Sequence, residues 1–134
     1  MTADTSAVVA ALSAWHEQHH AAAGALEGVT ALPAHVMLAA YSVLTRLPGG
    51  LAVPAATAAH VLGQRFRGEP LRLPPAQRLA LLSTLARAGV LAGSSYDGLV
   101  ALEAAHHGQT LLTLDRRARD AYRRLGADFT VIAA

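Results

Sequence analysis

An α/β domain built on a central, mostly parallel sheet with helices on both faces is predicted by two features of the sequence. Short β-branched or apolar runs alternate with longer helical ones, and the intervening segments suit right-handed crossovers between parallel strands. The chain has 134 residues, 53% hydrophobic and 15% charged, with a formal net charge of +2. That composition suits a single domain over residues 1–134 and excludes disorder. Cysteine is absent, which rules out disulfide scaffolds, thiol nucleophiles and Cys-ligated metals, so any metal must be held by Asp, Glu or His. All eleven basic residues are Arg; this looks like GC-rich coding bias and carries no functional reading.

Thr2-Ala3 reads as a very short strand, Asp4-Thr5-Ser6 as a capping segment and 7–20 as a helix, with a loose end over 21–28. Val29-Thr30-Ala31-Leu32 is β-branched enough for a second strand. Pro33 opens a helix over 34–46, which Pro48-Gly49-Gly50 stops. A third helix is expected from Pro54 or Ala55 to Phe66, a short strand at Leu71-Arg72-Leu73, and a helix opened by Pro74-Pro75 that reaches Ala88 before Gly89. Ser94-Ser95 is read as the cap of a helix ending at His106-His107-Gly108, and 110–114 as a buried strand followed directly by Asp115. A basic helix over 116–125 ends at Gly126, and 129–132 is the last strand.

The N-terminus has no basic stretch and meets Asp4 at once, so no signal peptide is read there and a cytoplasmic location is expected. Residues 28–45 and 47–64 carry no Asp, Glu, Lys or Arg. Pro33, Pro48, Gly49, Gly50 and Pro54 interrupt them, which argues against a membrane span.

Asp4 ends the first strand, Asp115 ends the strand over 110–114, and Asp97 lies in the first turn of the helix after Ser94-Ser95. Open α/β sheets place their sites beyond the carboxyl ends of the strands, so these three acids are candidates for one site. Taken singly, each reads more readily as a helix cap or a dipole partner, and it is their joint placement that favours a site. Crowded together they would need a cation, and an all-oxygen set suits Mg²⁺ or Mn²⁺.

Asp4-Thr5-Ser6-Ala7, Tyr41-Ser42-Val43-Leu44-Thr45-Arg46-Leu47-Pro48, Ser95-Tyr96-Asp97-Gly98-Leu99-Val100 and Leu111-Leu112-Thr113-Leu114-Asp115-Arg116-Arg117-Ala118 resemble the successive motifs of PIN-domain ribonucleases. In order and spacing the chain is similar to the VapC-type toxins of toxin-antitoxin pairs. The resemblance implies a PIN-like three-layer α/β/α domain with four acids at the sheet's carboxyl end, binding Mg²⁺ or Mn²⁺ for hydrolysis of RNA phosphodiesters. By position, Asp4, Asp97 and Asp115 match three of these acids as metal-binding, catalytic residues, and Ser6 matches a hydroxyl that orients a ligand or water. An RNA substrate, a homodimer and a VapB-type antitoxin, whose helix lies in an apolar groove, are implied as well.

The fourth acid of the family's pattern is a Glu two residues before the Tyr of Tyr41-Ser42-Val43-Leu44, where this chain has Ala39. No carboxylate lies between Glu27 and Glu69, so none on that helix can replace it by a small shift. Loss of one member of a set that acts together costs orders of magnitude in rate. The expectation is therefore an endoribonuclease impaired at Ala39; the alternative is a non-catalytic PIN-like module that only dimerises and binds its antitoxin.

His16-Glu17-Gln18-His19-His20 matches the H-E-x-x-H pattern of zinc peptidases through His16, Glu17 and His20, yet a third ligand is missing and a solvated, His-rich helix end explains it. Arg116, Arg117, Arg119, Arg123 and Arg124 crowd one helix. Arg116 and Arg119, nearest the acids, are the candidates for RNA contact, and the rest read as a charged outer face. The helices around 38–47 and 54–66 carry more apolar residues than one small core absorbs, which marks a candidate partner surface.

Overall fold

The computed structural model describes residues 1–133. Its sheet consists of β1 (Thr2–Ala3), β2 (Leu111–Thr113) and β3 (Phe129–Val131), all parallel, in the order β1-β2-β3. Thr2 stands opposite Leu111 and Ala3 opposite Leu112, while Leu111 to Thr113 pair with Phe129 to Val131. β1 and β2 are buried along their whole length, as parallel strands covered by crossover helices must be. Because the strands run the same way, the residues that follow β1 and β2 emerge at one edge of the sheet.

The helices are α1 (Thr5–Leu12), α2 (His19–Ala25), α3 (Ala34–Thr45), α4 (Ala55–Arg65), α5 (Pro75–Leu79), α6 (Leu81–Ala88), α7 (Ser94–His106) and α8 (Arg119–Arg124). One 3-10 turn, Arg116–Ala118, leads into α8. α1 packs on α2, α3 and β2, and α7 on α3, α6 and α8. The fully buried Val8, Leu26, Leu32, Val36, Leu111 and Tyr122 lie in the core between these layers, the three-layer α/β/α arrangement expected. Among the described residues no helix is long and apolar enough to cross a membrane.

Several local expectations are corrected. The first helix stops at Leu12, and 13–18 forms turns in which the Gln18 N–H donates to His16 Nδ1 at 3.0 Å, a local side-chain bond that competes with helix continuation. His16, Glu17 and His20 therefore do not share one helix face, and among the described residues no three His, Asp or Glu side chains stand close enough to enclose a metal without water. Val29-Thr30-Ala31-Leu32 is not a strand of the sheet: the Ala31 carbonyl accepts from the Thr2 hydroxyl at 2.8 Å in place of a backbone ladder, and only Pro33 and Leu71 form an isolated parallel bridge. Leu71-Arg72-Leu73 is accordingly not a strand either. The helix expected over 75–88 divides at Ala80, and Ser94 and Ser95 make no side-chain cap, their N–H groups bonding to the Leu91 and Ala92 carbonyls.

One glycine positions the site. A Cβ on Gly98 would stand 2.6 Å from Leu85 Cδ2 and 3.0 Å from Leu125 Cδ1. Glycine in a helix interior costs roughly 0.5–1 kcal/mol; here it lets α7 approach α6 and the end of α8 closely, which sets the depth of the neighbouring Asp97.

Candidate active site

Asp4 is the N-cap of α1 and is only 4% exposed. Its backbone N–H donates to the Leu112 carbonyl at 3.0 Å, extending the β1–β2 pairing by one bond and fixing the residue at the sheet edge. Its Oδ1 accepts from the Ala7 N–H at 3.1 Å and from the Ser6 hydroxyl at 2.6 Å, and its Oδ2 accepts from the Tyr122 hydroxyl at 2.8 Å. Burial nonetheless holds the Asp4 carboxyl above its ordinary value, with the bonds from Ser6, Tyr122 and Ala7 opposing. Burial, reinforced by the charge of Asp4, raises the Tyr122 phenol far above its usual range, so it remains a donor.

Ser6 ties the two strand ends together. Its hydroxyl donates to Asp4 and accepts the Leu114 N–H at 3.0 Å, while Thr113 Oγ1 accepts the Asp115 N–H at 2.9 Å. Asp115 caps the 3-10 turn, its Oδ1 accepting the Arg117 N–H at 2.9 Å. Asp97 enters from the first turn of α7, with no donor to its carboxylate among the described residues. Its carboxyl is pushed up to about 6 by burial, then by the charges of Asp115 and Asp4, with Arg117 acting the other way.

Asp4, Asp97 and Asp115 thus line one cavity of about 60 Å³ together with Ser6, Val100 and Tyr122. The cavity offers only oxygen donors, as a hard cation requires. The three carboxylates do not close tightly enough to form a dry three-ligand cage. The set therefore fits an ion held directly by one or two carboxylates and completed by water, the usual habit of Mg²⁺.

The PIN-domain family profile matches residues 1–124. The chain belongs to the PIN-domain family. It is 38% identical over 134 residues to Ribonuclease VapC27 of Mycobacterium tuberculosis (strain ATCC 25618 / H37Rv), an alignment covering 99% of this chain and 97% of that protein. It is also 36% identical over 129 residues to Ribonuclease VapC40 of M. tuberculosis (strain CDC 1551 / Oshkosh), covering 96% of each. Likeness of this extent makes it a PIN domain of the VapC type.

Ala39 of this PIN domain lies on α3, half-buried and one turn before Val43, which lines a larger cleft beside the acids. Arg46 lines the same cleft one turn further on, in addition to any interaction with the helix dipole. Arg116 and Arg119 line neither cavity; Arg116 is exposed and its carbonyl accepts from Arg119 Nε at 2.9 Å. Arg117, which no sequence feature sets apart from its neighbours, is the residue of that run that lines the cleft, 3.7 Å from Asp115. The structural importance of Tyr122 is signalled in the sequence only by an aromatic residue set among five arginines.

Proposed function

We propose that this chain is a divalent-cation-dependent endoribonuclease toxin of the VapC type whose site, formed by Asp4, Asp97 and Asp115, is incomplete at Ala39. The observation that carries the reading is that three carboxylates from three separate elements line one cavity, where burial and mutual repulsion raise Asp97 to about 6. Such crowding favours a cation. A bound Mg²⁺ or Mn²⁺ would supply water activation and neutralise charge on the phosphoryl oxygens.

The chain's own residues would do the positioning. Asp4 is held rigidly by Ser6, Ala7 and Tyr122, leaving one lone pair of Oδ2 free of protein donors. Ser6 fixes the spacing between the ends of β1 and β2. Asp97, free of donors, is the carboxylate that adjusts to the ion. A Glu at position 39 would bring a fourth carboxylate from α3, and Ala39 brings none.

Its substrate would be RNA, its location the cytoplasm and its regulator a VapB-type antitoxin, and the chain would act as a homodimer. The expected partner surface at 38–47 and 54–66 exposes Leu38 and Val61 but buries Leu44, Ala58, Leu62 and Phe66. Exposure is greater elsewhere, at Leu79, Leu82 and Leu91, so these side chains are the better candidates for protein contacts.

Mn²⁺ titration followed by electron paramagnetic resonance tests the metal assignment. Binding should be lost in Asp97→Asn and tightened at least about tenfold in Ala39→Glu. Equal Mn²⁺ affinity in all three proteins would refute the site.

A further inference from the structure

A cleft of about 680 Å³ opens beside the acidic pocket, and Thr5, Ser6 and Asp115 line both. Its remaining lining includes Val43 and Arg46 from α3, His16 and Gln18 from the loop over 13–18, and Arg117. We infer that this cleft is a subsite for one unpaired nucleobase and its adjoining phosphate: Gln18 and His16 read the base, and Arg46 and Arg117 hold the phosphodiester. The inference rests on the nuclease reading of the acids and assigns the group that determines which base is accepted there.

The loop carries recognition chemistry that the fold leaves unused. Gln18 Oε1 is the one buried side-chain polar atom among the described residues with no hydrogen-bond partner. Gln18 Oε1 therefore takes no part in holding the loop, and a side-chain amide is a bidentate reader of base edges. His16 Nδ1 accepts the Gln18 N–H, so the ring's own donor is Nε2–H. Trp15, 50% exposed, has its ring centroid 5.6 Å from that of His16 and offers a π-face on which a splayed base can stack. Arg46 makes no ion pair among the described residues, so its charge is available to a phosphate. The cleft's shared boundary with the acids would place the bound nucleotide next to the bond to be cut.

Trp15 is the only tryptophan, so its fluorescence reports binding without requiring cleavage. Hexaribonucleotides of A, C and U would be titrated into the protein with Ca²⁺ present to neutralise the acids. Saturable binding is expected, with at least about a tenfold spread in Kd among the three, as a bidentate base contact gives. Gln18→Ala and Gln18→Glu should both alter that spread, collapsing or reordering it. Arg46→Ala should weaken all three alike and lower the salt slope by about one, as a phosphate contact does, whereas Arg87→Ala, on the exposed face of α6, should change nothing. A spread unchanged in both Gln18 variants, or no binding of any hexamer, overturns the subsite. Absence of cleavage by Ala39→Glu would instead count against the nuclease reading, and Gln18-dependent base preference would survive it.

Discussion

On the sheet side of the acidic pocket, Asp4 is 4% exposed and has both carboxylate oxygens hydrogen-bonded, whereas on the helix side Asp97, from α7, meets no donor among the described residues. The difference separates two kinds of work. Asp4 caps α1, joins β1 to β2 through Ser6 and anchors the buried Tyr122, so it belongs to the folding core whether or not a cation arrives. Asp97 is raised by burial and by its neighbours' charges, with no hydrogen bond and only the opposing charge of Arg117 to compensate. Substitutions on the sheet side should therefore be read in stability, and those on the helix side in cation binding and rate.

The largest stability effect is expected from Asp4→Ala. It removes an N-cap and leaves the Ser6 and Tyr122 hydroxyls without their acceptor, for a loss of about 2–4 kcal/mol in urea denaturation. Asp4→Asn keeps an acceptor for the cap and removes a buried charge, so it should cost less than half as much. Tyr122→Phe deletes one buried donor to a carboxylate and should cost about 1–2 kcal/mol. If both Asp4→Ala and Tyr122→Phe proved neutral, the sheet side would have no structural role and the contrast would collapse.

Asp97 sharpens the comparison through pH. Without a divalent cation, the folded protein retains a proton on Asp97 between the ordinary carboxylate value of 3.8 and about 6, where the unfolded chain has released it. Unfolding then releases protons, so stability should fall as pH rises through that window. Asp97→Asn should flatten this fall, and Mn²⁺ should offset it in the unsubstituted protein but not in the variant. A stability curve that rises over the same window in the unsubstituted protein, and is unmoved by Asp97→Asn, would contradict the raised carboxyl.

The legible part of the fold is the part whose signals are local and redundant. A short run of Thr with Ala or Leu followed by Asp and a helical segment is visible at Asp4 and Asp115, and the parallel register brings those two acids to one edge. Asp97 lies in the first turn of α7 although Ser94 and Ser95 do not cap it, because the helix start depends on backbone turns that leave no side-chain signature. The early end of α1 was hidden for a similar reason: 7–20 is apolar and helix-prone, and the bond from the Gln18 N–H to His16 that helps break it has no propensity signal. Val29-Thr30-Ala31-Leu32 looks like a strand, but a Thr2 hydroxyl stands where a ladder would be. Within the site, the roles of Arg117 and Gln18 come from a cleft shared by the loop over 13–18, α3 and the segment after β2, a tertiary fact that no window of sequence contains.

A nuclease pocket that is intact on its sheet side and lacks only a carboxylate from α3 should be restored by Ala39→Glu. RNA cleavage with Mg²⁺ or Mn²⁺ by this chain, by Ala39→Glu and by Ala39→Glu/Asp97→Asn, side by side on total cellular RNA, tests it most directly. Cleavage by Ala39→Glu is expected to be at least about a hundredfold faster than by the unsubstituted chain, and to be lost again in the double variant. Equal cleavage by the unsubstituted chain and Ala39→Glu would show that three acids suffice, and cleavage undiminished by Asp97→Asn would place the chemistry elsewhere.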